Sequence, residues 1–200
     1  MDGAPCRWNH NVHYHRIILD AVPSGARRAL DVGCGDRYLA QELRSRVPEV
    51  VAVDRHVPSI EQARRRWGAG AVTFIEGDFL EHRFPAGSFD LVVSVAALHH
   101  MEMEMALGRM KELVRPGGTV AVVGLARSSR PADFLLDAAG AIVHRLHRLR
   151  KPYTEQTSPT VWPPPLTYRQ VRLTAERILP GARYRRHALW RYSVVWKRPP

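Results

Sequence analysis

The feature that most constrains this chain is a glycine-rich turn between an apolar run and a helical segment. The sequence ALDVGCGDR runs from Ala29 to Arg37, and the apolar residues of Leu39–Val47 then follow helical spacing. Gly33 and Gly35 lack a Cβ atom, so the backbone can bend sharply there and approach a ligand closely. The N-terminus of a helix presents free N–H groups and a partial positive charge. A strand, a glycine turn and a helix in this order are typical of nucleotide-binding units.

Short apolar runs recur along the chain and alternate with helical patterns, which is typical of strands in a buried parallel sheet. In order these runs are Arg28–Val32, Val50–Val53, Val72–Ile75, Phe89–Val95 and Thr119–Gly124. Two later stretches, Ala188–Trp190 and Tyr192–Trp196, predict a closing antiparallel hairpin around Arg191. The pattern predicts an α/β fold: a single Rossmann-like domain whose seven-stranded sheet is mostly parallel, with an antiparallel last strand.

Helical patterns fill the intervals between the strands. The predicted helices are Leu39–Val47, a helix from an N-cap at Ser59 to Gly68, Met103–Leu113, Ala132–Arg150 and Tyr168–Leu179. The single domain then divides into four segments. They are an N-terminal cap helix (1–27), a cofactor-binding core (28–126), a helical lid or substrate segment inserted after strand five (127–167), and a closing helix and strands (168–200).

Composition indicates a globular protein of the cytoplasm. No apolar run approaches the roughly 18 residues that would predict a membrane-spanning helix, so we expect no membrane partner. The N-terminus lacks the apolar stretch of a signal peptide. Two cysteines, Cys6 and Cys34, are too few for a disulfide framework. We therefore expect reduced thiols and a cytoplasmic monomer or homodimer.

The formal net charge of +11 raises the possibility of nucleic-acid binding. The basic residues are spread along the chain without a basic tail, and only three of the 30 are lysines. This distribution favours a solvated basic surface over a nucleic-acid interface.

Three histidines near the N-terminus, His10, His13 and His15, raise the possibility of a metal site. No carboxylate or cysteine joins them at ligand spacing, and zinc usually takes three or four ligands that converge. The segment is better explained as an amphipathic helix whose polar face lies toward a pocket, so we expect no metal.

Asp54, 21 residues after Gly33, narrows the choice of nucleotide. A carboxylate at the end of the second strand can accept hydrogen bonds from the ribose hydroxyls of either a dinucleotide or an adenosyl cofactor. The dinucleotide fingerprint needs a small residue at the position of Tyr38, where a tyrosine obstructs close packing of helix on strand. The sequence therefore disfavours a nicotinamide cofactor.

Together these motifs resemble the class I S-adenosylmethionine-dependent methyltransferases of the small-molecule type. The resemblance covers residues 28–126 and depends on five motifs in a fixed order. They are Leu30–Gly35, Ala52–Asp54, Gly77–Phe79, Phe89–Ser94 and Leu113–Gly118. The closing Trp190–Trp196 is also similar to the tail of many bacterial members.

The resemblance implies S-adenosylmethionine as cofactor and S-adenosylhomocysteine as product. It implies a glycine turn under the methionine part, Asp54 on the ribose, Asp78 and Phe79 at the adenine, and backbone near Ser94 and Val95 at the ammonium. The full cofactor set comprises Tyr14, Asp31, Gly33, Cys34, Gly35, Asp54, Arg55, Asp78, Phe79, Ser94 and Val95. Taken alone, Asp31 and Asp78 are equally well explained as turn or capping carboxylates, and Phe79 as a core residue.

Arg37 departs from the family, which usually has a third glycine at this position. Three interpretations stay open. The side chain points outward, it pairs with the methionine carboxylate, or it weakens cofactor binding. Because Gly33, Gly35 and Asp54 are intact, we expect the cofactor to bind.

For catalysis, the sequence points to His99 and His100 after the fourth strand. Histidine titrates near neutrality and can take a proton from an acceptor, although either residue could instead only orient the pocket. Phe134, Tyr153 and Trp162 of the lid segment are expected to line the acceptor pocket.

The predicted function is methyl transfer to oxygen, nitrogen or carbon of a small organic acceptor, in bacterial secondary metabolism. Two alternatives stay open. One is an RNA or protein methyltransferase that uses the basic surface. The other is a non-methylating member of the fold with altered cofactor use.

Overall fold

A computed structural model describes residues 9–35, 38–67, 70, 72–150 and 161–200. Its centre is one seven-stranded sheet with strand order β3-β2-β1-β4-β5-β7-β6. The strands are β1 Arg28–Val32, β2 Glu49–Asp54, β3 Val72–Glu76, β4 Phe89–Val95, β5 Val114–Gly124, β6 Arg183–His187 and β7 Arg191–Lys197. The first five are parallel, and β7 runs antiparallel between β5 and β6. The predicted fold class is confirmed.

The helices cover both faces of this sheet, which is why the strands carry continuous apolar runs. They are α1 His15–Asp20, α2 Tyr38–Leu43, α3 Val57–Trp67, α4 Met103–Leu113, α5 Pro131–Arg150 and α6 Tyr168–Ile178. On one face, α4 and α6 bury residues such as Leu107 and Val171 against Val92. On the other, α1, α2 and α3 bury residues such as Ile18 and Ile60. No helix in these described ranges is both long and apolar enough to cross a membrane.

The predicted limits are confirmed for some elements and wrong for others: α4 has the predicted limits, whereas β5 begins at Val114 and not at Thr119. β1 and β4 have the predicted limits. The predicted helix Leu39–Val47 is wrong at its end, because α2 stops at Leu43 and turns follow. Ser59 was expected as an N-cap, but α3 begins at Val57, and the Ser59 hydroxyl lies 2.8 Å from the His56 ring inside the first turn.

The predicted turn around Arg191 is also wrong. The hairpin turns at Ala188–Trp190, and Arg191 is the first residue of β7, paired with His187. Leu189 and Trp190 both have positive φ angles, 54° and 56°, which side chains other than glycine rarely adopt. The guanidinium of Arg191 donates to the carbonyls of both, and this contact supports the tight turn.

The parallel strands bring their carboxyl ends to one edge of the sheet, where ligands bind in α/β folds. The residues that follow β1, β2, β3, β4 and β5 therefore share one crevice. The N-terminal segment covers it in part, through a short 3₁₀ turn at Val12–Tyr14 that leads into α1.

Candidate active site

A cavity of about 490 Å³ opens at this edge of the sheet. This is within the range of roughly 300–1,000 Å³ that small-molecule and cofactor sites occupy. Nine of the residues predicted to bind a cofactor line it: Asp31, Gly33, Cys34, Gly35, Asp54, Arg55, Asp78, Phe79 and Val95. The structure thus brings together residues from the ends of four strands that are spread over more than 60 positions of the chain.

The glycine turn after β1 is fixed by close backbone packing. Gly33 has a φ angle of +69°, and its N–H donates to the carbonyl of Val53 at 2.8 Å. A Cβ atom added at Gly33 would overlap the Cβ of Ala97, which lies after β4. Glycine is needed here both for its backbone conformation and because the chain after β4 lies directly against it.

Asp54, the last residue of β2, holds the turn from the other side. One carboxylate oxygen accepts the N–H of Gly35 and the other accepts the N–H of His56, both at 2.8 Å. The side chain is only partly buried and lines the cavity. Each carboxylate oxygen has a second lone pair, so it can accept a further hydrogen bond from a ligand hydroxyl.

Asp78 and Phe79 follow β3 on the same rim. An oxygen of Asp78 accepts the N–H of Leu80 at 2.8 Å, which orders this loop. Phe79 is buried, with the guanidinium of Arg109 5.5 Å from its ring centre. Asp78 therefore caps the loop, which is one of the two roles that the sequence allowed. Asp78 and Phe79 also line the cavity.

Two residues of the predicted cofactor set do not line the cavity. The hydroxyl of Ser94 is buried and donates to the carbonyl of Val32 at 2.9 Å, so this side chain ties β4 to β1. The hydroxyl of Tyr14 donates to the carbonyl of Ala188 at 2.6 Å, which holds the N-terminal segment against the closing hairpin.

Asn11, His15 and Arg191 line the cavity although the sequence did not indicate them as ligands. Arg191 is buried, and it donates twice to the side-chain oxygen of Asn11, at 2.7 and 3.2 Å. Asn11 and Arg191 are 180 positions apart, so no local sequence pattern could have paired them. The only signals were the polar N-terminal segment and the tail that resembles bacterial methyltransferases.

His99 and His100 lie on a 3₁₀ turn, Leu98–His100, with their ring centres 4.1 Å apart. Burial, followed by the charges of His100 and Arg191, lowers the pKa of His99 from 6.5 to about 4. Burial and Arg55 also lower the pKa of His100, against the opposing effect of Asp54. Both rings are therefore neutral at physiological pH. The buried Nδ1 of His99 has no hydrogen-bond partner in the part of the chain that the structure describes.

A second, smaller cavity of about 210 Å³ adjoins the first. The two share His99, Met101, Glu102 and Leu125 as lining residues. The remaining walls of the small cavity are almost entirely apolar: Leu98, Met103, Pro165, Leu166, Val171 and Tyr192. His99 thus lies where the larger cavity, which carries the carboxylates of the strand ends, meets a smaller and more apolar one.

The structure does not bring two of the predicted lid residues, Phe134 and Trp162, to either cavity. Phe134 is 59% exposed on α5, and Trp162 is also exposed. Tyr153 and Arg37 lie outside the described residues, so their predicted roles stay predictions. The 127–167 segment reaches the small cavity through Pro165 and Leu166 instead. Across the described ranges, no group of three or more His, Cys, Asp or Glu side chains is placed to hold a metal ion.

Comparison with known proteins agrees with this architecture. A family model described as a methyltransferase domain matches residues 30–122. An uncharacterized methyltransferase of Mycobacterium tuberculosis is 37% identical over 193 residues, which are 96% of this chain and 98% of that protein. The N-methyltransferase NodS of Bradyrhizobium japonicum, solved with S-adenosylhomocysteine, has a TM-score of 0.61 at 16% identity. The match covers 94% of this chain and 87% of that one.

Proposed function

The chain belongs to the methyltransferase family, and we propose that it transfers the methyl group of S-adenosylmethionine to a small organic acceptor, a bacterial metabolite with a hydroxyl or amine group. The observation that carries the proposal is the pair of adjoining cavities. One is large and lined by the carboxylates of three strand ends, and the other is small and apolar, with His99 at their junction.

The chemistry of the larger cavity fits an adenosyl cofactor. Asp54 offers carboxylate oxygens for ribose hydroxyls, and Asp78 with the buried ring of Phe79 offers an acceptor and an apolar surface for adenine. The turn at Gly33 and the backbone at Val95 would hold the amino-acid part. When bound, the cofactor supplies a methyl group that its sulfonium already activates, so positioning and exclusion of water can provide most of the rate.

The volume of the smaller cavity, about 210 Å³, favours a small acceptor. Its walls at Leu98, Met103 and Leu166 favour an apolar body, and the polar group of the acceptor would lie toward the shared residues, next to the larger cavity. A polymer such as RNA could enter only as a single displaced group. The geometry therefore favours a small acceptor over the RNA and protein alternatives.

His99 is placed to orient the acceptor and to take its proton. Because its pKa is about 4, the imidazole is neutral at physiological pH and can accept a hydrogen bond from an O–H or N–H group. As the acceptor atom forms its bond to the methyl carbon, the proton that it loses can pass to this ring.

The test separates cofactor binding from transfer. Titration calorimetry with S-adenosylhomocysteine should show saturable binding, and incubation with S-adenosylmethionine and a panel of small phenols, alcohols and amines should identify an acceptor. Leu166→Trp fills only the small cavity, so turnover should fall at least tenfold while binding of S-adenosylhomocysteine is kept. The matched control is Leu173→Trp, an exposed leucine on α6 that lines neither cavity.

Absence of S-adenosylhomocysteine binding would refute the cofactor assignment. Full turnover by Leu166→Trp would refute the assignment of the small cavity to the acceptor.

A further inference from the structure

The helix α5 exposes a continuous apolar stripe to solvent. Leu135, Ile142 and Leu149 are 75%, 64% and 78% exposed. Their spacing of seven residues places them on one face of the helix, and the half-exposed Leu146 lies between the last two. We call these four residues the α5 stripe. It extends over fifteen residues, and the fourteen steps from Leu135 to Leu149 span about 21 Å at a rise of about 1.5 Å per residue.

The opposite face of α5 is polar and holds the helix to the body of the protein. Asp133 and Asp137 accept hydrogen bonds from Arg186 of β6, at 3.0 and 2.7 Å. Two turns further, His144 contacts His10 of the N-terminal segment, ring nitrogen to ring nitrogen, at 2.8 Å. These contacts fix the rotation of the helix, so the stripe cannot turn inward without breaking them.

The charges on α5 differ between its two faces. The two carboxylates of the helix both bond to Arg186 on the inner side. Arg145 is exposed beside Ile142 and Leu149 at the side of the stripe, and the whole chain carries a formal charge of +11. The outward surface of α5 is therefore apolar in the middle, with a cation at its side.

We propose that the α5 stripe docks this protein on an anionic lipid bilayer. A helix that lies in the membrane interface inserts an apolar face among the acyl chains, while its basic residues contact anionic headgroups. Each arginine near an anionic bilayer strengthens binding about fivefold, through general electrostatic attraction rather than through one specific contact. The stripe supplies the apolar face, and Arg145 supplies a basic residue beside it.

Charge argues against a second copy of the chain as the occupant. A two-fold interface brings the same patch of each copy together. Here it would bring together two molecules that each carry a formal charge of +11. An anionic surface instead complements both the local and the overall charge.

Interfacial docking departs from the expectation, drawn from the sequence, that the protein has no membrane partner. That expectation considered only segments that cross a bilayer, whereas docking at the interface needs one apolar face. α5 follows β5 through a linker that begins at Leu125, which lines both cavities. Docking would bring the active-site edge of the sheet toward the bilayer, and it does not depend on the proposed methyl transfer.

Sedimentation with vesicles tests the proposal on the full chain. We expect the protein to sediment with vesicles of phosphatidylglycerol and phosphatidylcholine and much less with phosphatidylcholine alone. Ile142→Gln with Leu149→Gln should lower binding to the anionic vesicles more than about tenfold. Arg145→Gln should lower it about fivefold. The matched control pairs Met105→Gln with Leu173→Gln, exposed apolar residues on α4 and α6, and should bind as the unmodified chain does.

Circular dichroism and calorimetry with S-adenosylhomocysteine check that each variant keeps its fold and its site. Equal binding to both kinds of vesicle overturns the proposal. So does full binding by the variant that carries Ile142→Gln and Leu149→Gln, which would assign the attraction to the general positive charge. A dimer that this variant converts to a monomer in analytical ultracentrifugation would also overturn it, because the stripe would then be an interface between copies.

Discussion

Replacement of Asp54 by asparagine tests the centre of the proposed cofactor site. The carboxylate accepts the N–H groups of Gly35 and His56 with its two oxygens. Asparagine keeps one oxygen but directs an NH₂ group at one of these donors. One charge-assisted hydrogen bond is lost, at about 1.5–3 kcal/mol. For a chain of this size, a loss of about 2 kcal/mol lowers the melting temperature by about 4–8 °C.

The same change should also weaken binding of the cofactor product, by a similar free energy. If the carboxylate also accepts the ribose hydroxyls, the Asp54→Asn variant offers them one neutral acceptor in place of two charged ones. Loss of a single charged hydrogen bond raises Kd roughly 10- to 150-fold. Titration calorimetry with S-adenosylhomocysteine measures this, and differential scanning fluorimetry measures stability. The matched control is Glu76→Gln, which removes one charge from the exposed residue beside Asp54 in the next strand.

A thermodynamic cycle separates ribose binding from collapse of the turn. In the unmodified protein, S-adenosylhomocysteine without its 2′-hydroxyl should bind more weakly than the complete molecule. With Asp54→Asn, most of that difference should disappear, because the partner of the hydroxyl is already lost. If the loss of affinity from Asp54→Asn and the loss from the missing 2′-hydroxyl are additive, Asp54 acts only by holding Gly35. Affinity of Asp54→Asn within about twofold of the unmodified protein would refute the ribose assignment outright.

Two further predictions concern His99 and Asp90. The pKa of His99 is about 4 in the fold and 6.5 when unfolded, so the unfolded chain binds more protons between these values. Its stabilising contribution, at most about 3 kcal/mol, is complete above pH 6.5 and is lost as the pH falls through about 4. In urea titrations, the free energies of unfolding of the unmodified chain and of His99→Gln should diverge between pH 6.5 and about 4. A fall of kcat/KM on the acid side with a midpoint near pH 6.5 would contradict the role of His99 as the base. Asp90→Ala removes the acceptor of the N–H groups of Arg27 and Arg28, with an expected cost of about 2–4 kcal/mol in urea unfolding. Arg115→Gln removes only the half-exposed cation beside the buried Asp90 carboxylate and keeps both backbone donors, so it should cost less than Asp90→Ala, and equal losses in the two variants would refute the backbone role.

The parts of the fold that could be predicted are those that neighbouring residues determine. β4 is buried along almost its whole length, so its sequence is a continuous apolar run with clear ends at Phe89 and Val95. The start of α3 was harder, because Asp54, Ser59 and the residues between them offer competing local hydrogen bonds. In the structure, the carboxylate of Asp54 accepts the N–H of His56, and the hydroxyl of Ser59 forms a hydrogen bond with the His56 ring.

The parts of the candidate site that could not be predicted depend on contacts between distant segments. Leucine and tryptophan are not typical turn residues. Leu189 and Trp190 nevertheless form the hairpin turn, because Arg191 donates to their carbonyls. Arg191 is itself held by Asn11, at the other end of the chain. A motif gives the residues of one strand end, such as Gly33 or Asp54. It does not give what the N-terminal segment and the closing hairpin bring to the cavity.

The orientation of α5 shows why a periodic pattern is not enough. Helical spacing of the apolar residues in this segment predicts one apolar face, and an apolar face is normally buried, which is why Phe134 was expected at the acceptor pocket. The pattern does not say which side of the helix meets the sheet. Asp133 and Asp137 decide it, because Arg186 of β6 is partly buried and pairs with both. Leaving that guanidinium unpaired would cost more than exposing several leucines, and the leucines recover their burial if the stripe meets a bilayer.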